Sequence, residues 1–177
     1  MSFSNFEPQA DVTADATVTA TVATSCGEFV IELDPGSSPN TVQSFVFLAR
    51  QGFYDGTVFH RIVADFVVQG GDPEAVGTGG PGYSIPDEFP ADGFVYEPGV
   101  VAMANAGRGT TGSQFFVVVG GDASVLLPQY NVLGRVIEGD ETLDAIAAVP
   151  TATRPGSREK SLPRESVYIE GIEITVG

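Results

Sequence analysis

The sequence predicts a mainly β domain of about eight strands with two helices. Twenty-two glycines and twelve prolines divide the 177 residues into many short segments, a pattern that favours short strands joined by turns over a helical bundle. Hydrophobic residues make up 42% of the chain and charged residues 18%, so a packed globule is expected and not disorder. The length suits one domain with a single core.

The first predicted elements are a hairpin and a helix. Apolar residues alternate along two strands that a turn at residues 25–27 joins: Val18, Ala20 and Val22 on one, Phe29, Ile31 and Leu33 on the other. A helix follows, with Ser38 as its N-cap, Pro39 at its first position and Gly52 at its end. Its apolar face has the helical spacing i, i+3, i+4 and i+7 and consists of Val42, Phe45, Val46 and Ala49.

The later elements are mostly strands. They are predicted near residues 58–62, 66–69, 100–104, 115–119 and 132–137, and a second short helix is predicted after Gly139. A final strand runs from about Val167 to Ile174 and is expected to bend at Gly171. Residues 1–15 are polar and unpatterned, which predicts a flexible N-terminal leader before a domain of residues 16–177.

Charge and cysteine content exclude several classes of function. The net charge is −15, from 23 acidic and 8 basic residues, so nucleic acid and membrane surfaces are not expected as partners. Cys26 is the only cysteine and forms no intrachain disulfide. The N-terminus has neither the basic region nor the apolar stretch of a signal peptide, so a cytoplasmic location is expected for a full-length natural chain.

Two blocks of sequence carry most of the candidate chemistry. Residues 59–72 read FHRIVADFVVQGGD, while residues 103–106 and 112–116 read MANA and GSQFF. With both blocks in this order, the chain resembles the cyclophilin family of peptidyl-prolyl cis-trans isomerases from about Ala16 to its C-terminus. The resemblance implies a closed eight-stranded antiparallel β-barrel with a helix covering each end, which leaves no exposed sheet edge. It also implies an enzyme that assists protein folding without cofactor or metal.

Arg61 is the residue expected to carry the catalysis. Rotation about an Xaa-Pro bond must overcome amide resonance, a barrier of roughly 18–20 kcal/mol, and an enzyme lowers it by binding the twisted amide better than the planar one. A donor aimed at the proline nitrogen does this because the nitrogen lone pair is free only in the twisted state. Arginine carries five N–H donors and stays protonated. The alternative for Arg61 is a salt bridge to one of the many acidic residues, but Phe66 and Gln69 match the family motif and favour catalysis.

The family motif also implies an apolar pocket for the proline ring. Phe66, Val67, Phe116 and Leu126 occupy the positions that build it. Burial of one pyrrolidine there would contribute a few kcal/mol, at roughly 25 cal/mol per Å² of apolar area. Phe115 and Phe116 alternate on one strand, so one of the two must face the core, and the pattern alone does not decide which.

Amide groups are expected to hold the backbone of the substrate. The candidates are Gln69, Asn105 and Gln114, together with Ala104 and Ala106 beside them. The alternative for Asn105 is an ordinary turn residue before Ala106 and Gly107. Thr78 and Gly79, in a glycine-rich loop, are expected to line an extended groove, because the family has such a loop beside its proline pocket. His60 should face away from Arg61 and is expected to be structural.

Three of the positions expected to bind substrate depart from the best-known family pattern. Val125 stands where many members have tryptophan, Tyr130 where they have histidine, and Val67 where methionine is common. Because that tryptophan contacts cyclosporin in the family, weak cyclosporin binding is expected. The expected partners are proline-containing polypeptides, and the chain is expected to be a monomer. The alternative function is a module or chaperone that captures proline segments in the same groove without turnover.

Overall fold

The chain folds around one antiparallel sheet of eight strands with two α-helices packed against it, in a computed structural model that describes residues 1–177. The strands of the sheet are β1 (Val18–Thr24), β2 (Gly27–Leu33), β3 (Arg61–Val63), β4 (Val67–Gly70), β5 (Val100–Met103), β6 (Phe115–Val118), β7 (Val132–Glu138) and β10 (Ile169–Val176). A separate hairpin consists of β8 (Thr151–Thr153) and β9 (Lys160–Pro163). The helices are α1 (Pro39–Arg50) and α2 (Asp140–Ala147), and a short 3₁₀ helix covers Gly121–Val125. The predicted mainly β class with two helices is confirmed.

The sheet is an open half-barrel that curves through 201°, so the closed barrel implied by the family resemblance is wrong for this chain. The strand order is β10-β1-β2-β7-β5-β6-β4-β3, and the edge strands β10 and β3 do not pair. The chain before β3 bridges the gap, since the N–H groups of Gly56 and Phe59 donate to the carbonyls of Ile169 and Val167. The β8–β9 hairpin lies beside β3, so the outer edge of β3 is covered by a different element.

The main core includes the inward face of α1. The four positions predicted to face inward on this helix are all buried. The helix begins after Ser38, as predicted, but the Ser38 side chain makes no capping hydrogen bond. The carboxylate of Glu88 takes that role by accepting hydrogen bonds from the N–H groups of Asn40 and Thr41. Neither helix has the length and hydrophobicity that a bilayer crossing requires.

The observed strands differ from the predicted ones in two places. β3 begins at Arg61 because Val58, where the strand was expected to start, forms only isolated bridges to Asp72 and Tyr168. The β8–β9 hairpin has no counterpart among the predicted elements. Residues 151–163 contain two prolines and four charged residues and no alternation of apolar side chains, so no strand signal is present there.

Residues 1–15 contain no helix or strand, yet they pack against the domain. Val12 is buried in the main core, and the rings of Phe3 and Phe6 pack against it. Asp11 forms an ion pair with Arg50 of α1, with the closest N···O distance at 2.6 Å. This arrangement differs from the loose leader that the polar composition predicts, because a few apolar side chains and one ion pair dock the segment along α1.

Candidate active site

A small cavity opens beside β3, on the face of β4 and β6 that points away from the main core. Its volume is about 200 Å³, and six of its nine lining residues are hydrophobic. The lining residues are Arg61, Phe66, Val67, Gln69, Ala104, Asn105, Phe116, Leu126 and Tyr130. All of them are predicted site residues, so the fold brings together at one place what the sequence distributes over 70 positions of the chain. We call this space the proline cavity.

Phe116 forms a wall of the proline cavity, and Phe115 belongs to the main core. The Phe115 ring packs edge-on against Phe45 and Tyr54, with ring centroids 5.9 and 5.8 Å apart. The Phe116 ring points to the opposite face of β6, where Tyr130 stands edge-on at 5.4 Å. Alternation alone does not decide which of the two phenylalanines faces the core. Phe116 pairs with Gln69 across β4 and β6, and this pairing places both side chains at the cavity.

Arg61 lies at the proline cavity and also forms the salt bridge that was its alternative. Its guanidinium lies over the Phe66 ring, 5.3 Å from the ring centroid, and lines the proline cavity. It also forms a bidentate ion pair with Glu159, in which Nε and Nη2 donate to the two carboxylate oxygens at 2.8 and 2.6 Å. The hydrogen bond from Arg61 lowers the pKa of Glu159 to about 2, so the pair is charged at neutral pH.

The ion pair leaves Arg61 with unused donors. Of its five N–H groups, two are taken by Glu159, and a third on Nη1 makes a long contact of 3.4 Å to the Gln69 side-chain oxygen. The remaining N–H groups have no protein acceptor. Because a bidentate carboxylate fixes the plane of the guanidinium, Glu159 determines where these donors point. Glu159 is absent from the predicted site, since it lies 98 residues away along the chain in a segment without a pattern.

A relay of amides continues from Arg61 into a second, larger space. Gln69 donates to the Gln114 side-chain oxygen at 3.0 Å, and Gln114 donates to the carbonyl of Gly79 at 2.9 Å. The loop that contains Gly79 is held by buried Asp72, whose carboxylate accepts hydrogen bonds from the N–H groups of Glu74, Gly77 and Gly79. Burial alone would raise the pKa of Asp72, but these backbone donors outweigh it and hold the pKa below its usual value.

The second space is a groove of about 750 Å³ next to the proline cavity. It shares Gln69, Ala104 and Asn105 with the cavity. Its walls are the loop 77–84 on one side and residues 104–106 and 110–114 on the other, and they include the predicted residues Thr78, Gly79, Ala106 and Gln114. We call this space the groove, and a peptide whose proline occupies the cavity would extend along it.

Asn105 lines both the proline cavity and the groove. Its side-chain nitrogen donates to the carbonyl of Gln129, 24 residues along the chain, at 2.8 Å, and its side-chain oxygen accepts from the N–H of Gly107 at 3.1 Å. The bond to Gly107 fits the turn role that was its alternative, while the amide role in substrate binding stays a prediction. The backbone N–H and C=O of Asn105 have no protein partner.

Two other residues lie away from the cavity. Val125 is 80% exposed and lines neither the cavity nor the groove. His60 is buried behind β3, its Nδ1 has no hydrogen-bond partner, and burial lowers its pKa. No cluster of three His, Cys, Asp or Glu side chains is arranged to hold a metal ion.

Comparison with known proteins points to one family. Residues 19–174 match the sequence model of the cyclophilin type peptidyl-prolyl cis-trans isomerases. The chain is 43% identical to peptidyl-prolyl cis-trans isomerase B of Streptomyces anulatus, over 85% of this chain and 95% of that protein. It is 41% identical to peptidyl-prolyl cis-trans isomerase A of Mycobacterium tuberculosis, over 90% and 93% respectively. Among solved structures, a cyclophilin type isomerase of Cryptosporidium parvum aligns with a TM-score of 0.80 at 29% identity, covering 90% of this chain and 98% of that one.

Proposed function

Because the chain belongs to the family of cyclophilin-type peptidyl-prolyl cis-trans isomerases, we propose that it accelerates rotation about Xaa-Pro bonds of polypeptides at the proline cavity. The observation that carries this proposal is the pair of Arg61 and its neighbouring apolar space. Unused N–H donors of a fixed guanidinium border a cavity of about 200 Å³ with aromatic and aliphatic walls. Residues 16–177 form the proposed isomerase domain.

The proline ring of the substrate would bind among Phe66, Phe116 and Leu126, the apolar walls of the cavity. Removing its apolar surface from water supplies binding free energy at roughly 25 cal/mol per Å². The free N–H and C=O of Asn105 would hold the peptide backbone next to the ring. These contacts fix one side of the Xaa-Pro bond, so that the other side is the part that rotates.

Arg61 supplies the interaction that distinguishes the transition state from the ground state. In the planar amide the nitrogen lone pair is delocalised and accepts no hydrogen bond, whereas in the twisted amide it becomes an acceptor. A donor fixed at the cavity therefore stabilises the twisted form selectively, which is the condition for a faster rate. No covalent bond breaks and no net proton transfer occurs, so the mechanism requires no cofactor.

The proposed partners are proline-containing polypeptides. The Cryptosporidium parvum isomerase has also been crystallised in the presence of the dipeptide Ala-Pro, and that structure aligns with this chain at a TM-score of 0.79. We further propose that the chain acts as a monomer and binds cyclosporin weakly. The second point is supported by the exposed Val125 side chain, which is small and lies outside the cavity.

The proposal is tested by exchange NMR on a short peptide with one Ala-Pro bond. A catalytic amount of the protein should raise the cis-trans exchange rate well above the uncatalysed rate, whose time constant is tens to hundreds of seconds. Binding of the peptide without faster exchange would overturn the isomerase proposal and favour a module that only captures proline segments.

A further inference from the structure

The N-terminal segment packs against the outer side of a loop that forms one wall of the groove. We define the N-terminal arm as residues 2–12, which precede the region 19–174 that matches the family. The arm runs along α1 and reaches the loop 81–83, whose other side faces the groove. The arm therefore lies outside the region that the family model matches.

The arm makes three direct contacts with this wall of the groove. The N–H of Phe3 donates to the carbonyl of Pro81 at 2.7 Å. The Phe6 ring packs against the Tyr83 ring, with centroids 6.1 Å apart. At Gly82, which has a φ of +98°, a Cβ atom would lie 2.6 Å from the carbonyl oxygen of Phe3. A side chain there would push the arm away, so Gly82 permits the close approach.

The arm is also anchored to α1 and its following turn. The Phe3 ring stands edge-on to Phe47 at 5.2 Å and lies 6.4 Å from Phe53. The N–H of Gln9 donates to the side-chain oxygen of Gln43 at 2.6 Å, and Val12 is buried in the main core. The arm therefore connects the wall of the groove to α1 and the main core.

Few other interactions hold this wall in place. The hydrogen bonds of Asp72 and Gln114 end at Gly79, and the next backbone bond is made by Ile85. Between these two points, the hydrogen bonds of the loop are the one from Phe3 to Pro81 and the one between Tyr83 and the Ser44 hydroxyl at 2.8 Å. Pro81 is buried, and the Tyr83 ring packs against the main core and against Phe6. A glycine-rich loop loses much conformational entropy when it is ordered, and the arm supplies one of these two hydrogen bonds and one of these ring contacts.

We propose that the N-terminal arm is a specificity-determining element, which holds residues 80–83 in the position that receives substrate side chains flanking the proline. The inference rests on the proposed isomerase function only for the identity of the ligand. A fixed wall offers its apolar and backbone groups without an ordering cost at binding. Substrates with a long side chain in the groove gain from this wall, whereas substrates with alanine on both sides of the Xaa-Pro unit do not reach it. Arg61 and the proline cavity are unaffected.

The test compares the double variant Phe3→Ala/Phe6→Ala with the control Ile174→Ala, which shortens a partly buried side chain of β10 that packs against the main core and belongs to neither the arm nor the groove. Peptides carry phenylalanine either before or after a central Ala-Ala-Pro-Ala unit, and a third peptide carries only alanine. Kd is measured by NMR titration, and kcat and KM are measured by exchange.

In the double variant, Kd and KM should rise about fivefold or more for at least one phenylalanine peptide, with kcat and the all-alanine peptide unchanged. The single variant Phe3→Leu should bind the phenylalanine peptides with Kd values close to those of the wild type, since leucine retains the apolar contact with Phe47. Kd values in the double variant that equal those of the wild type and of the Ile174→Ala control, at similar melting temperatures, would overturn the proposal. Wild type that binds these peptides selectively but does not catalyse exchange would refute the isomerase function and leave the arm proposal standing on the Kd values.

Discussion

Removal of the charge on Glu159 should reduce catalysis while leaving the fold intact. In Glu159→Gln, the bidentate acceptor of Arg61 becomes a neutral amide with one acceptor oxygen and one NH₂ group. The NH₂ group would face an N–H of Arg61, so only one of the two hydrogen bonds, at 2.8 and 2.6 Å, can be kept. Arg61 still contacts the Phe66 ring and Gln69, but its plane is no longer fixed from the side of the β8–β9 hairpin.

The size of the effect follows from the mobility of an arginine side chain. Ordering a long side chain costs up to about 1.5–2 kcal/mol of rotamer entropy. In the wild type, the Arg61 side chain is already ordered before the substrate binds. In the variant, part of its rotamer entropy is lost only when the transition state forms. If contacts with Phe66 and Gln69 recover half of the cost, about 1 kcal/mol remains, which corresponds to a loss of about fivefold in kcat/KM. The two side chains of the pair are 24% and 38% exposed, so the loss of stability should stay below about 1 kcal/mol.

The assay is exchange NMR on an Ala-Pro peptide, with the melting temperature measured in parallel. Glu165→Gln is a matched control, because Glu165 lies in the segment after the same hairpin, is exposed, and makes no ion pair. The control should retain the wild-type kcat/KM. A kcat/KM of Glu159→Gln that equals or exceeds the wild-type value would refute this prediction. The carboxylate would then restrain Arg61 without orienting it for catalysis.

Four further predictions concern the cavity, the pH dependence of activity, the pH dependence of stability, and inhibition. Leu126→Ala should raise KM about fivefold or more by removing apolar wall, whereas Leu127→Ala, at a 63% exposed neighbour outside the cavity, should not; equal KM values would contradict the assigned wall. The value of kcat/KM should be flat between about pH 5 and 8, because the depressed pKa of Glu159 keeps the ion pair charged until the pH falls towards about 2. Burial lowers the pKa of His60, so stability should fall as the pH drops below about 6.5, where the unfolded chain binds the proton first; a melting temperature that rises on acidification would contradict this sign. Cyclosporin should inhibit weakly because Val125 is exposed and lines no part of the cavity, and inhibition in the nanomolar range would contradict that prediction.

Most of the cavity could be predicted from the sequence because seven of its nine lining residues lie in the two blocks that carry the family resemblance. Arg61, Phe66 and Gln69 follow one another along β3 and β4, and their spacing determines which face each side chain occupies. The choice between Phe115 and Phe116 was not accessible, since both are apolar and both are buried. Only the packing of the two faces of β6 against different clusters distinguishes them.

The missed features depend on contacts between distant parts of the chain. Glu159 meets Arg61 across 98 residues, and its hairpin has no alternating pattern that would predict a strand. The Asn105 side chain donates to the carbonyl of Gln129, 24 residues along the chain, and no local pattern indicates that contact. Closure of the sheet likewise depends on whether two edge strands pair, which no local periodicity encodes.

The packing of residues 1–15 also depends on contacts between distant parts of the chain. A polar segment with two phenylalanines has the composition of a loose terminus, and its docking depends on grooves that other elements create. Phe3 finds Phe47 and Phe53, and Phe6 finds Tyr83, only once α1 and the loop 81–83 are in place.

The most direct test of the mechanism is Arg61→Ala, measured for both peptide binding and cis-trans exchange. The matched control is Arg135→Ala, which removes an arginine of β7 that lines neither the proline cavity nor the groove. Loss of a fixed donor to the transition state should lower kcat/KM by about 100-fold or more, while Kd for the peptide changes by less than about fivefold because the apolar walls are intact. The control should match the wild type. Exchange that persists in Arg61→Ala at the wild-type rate would contradict the account.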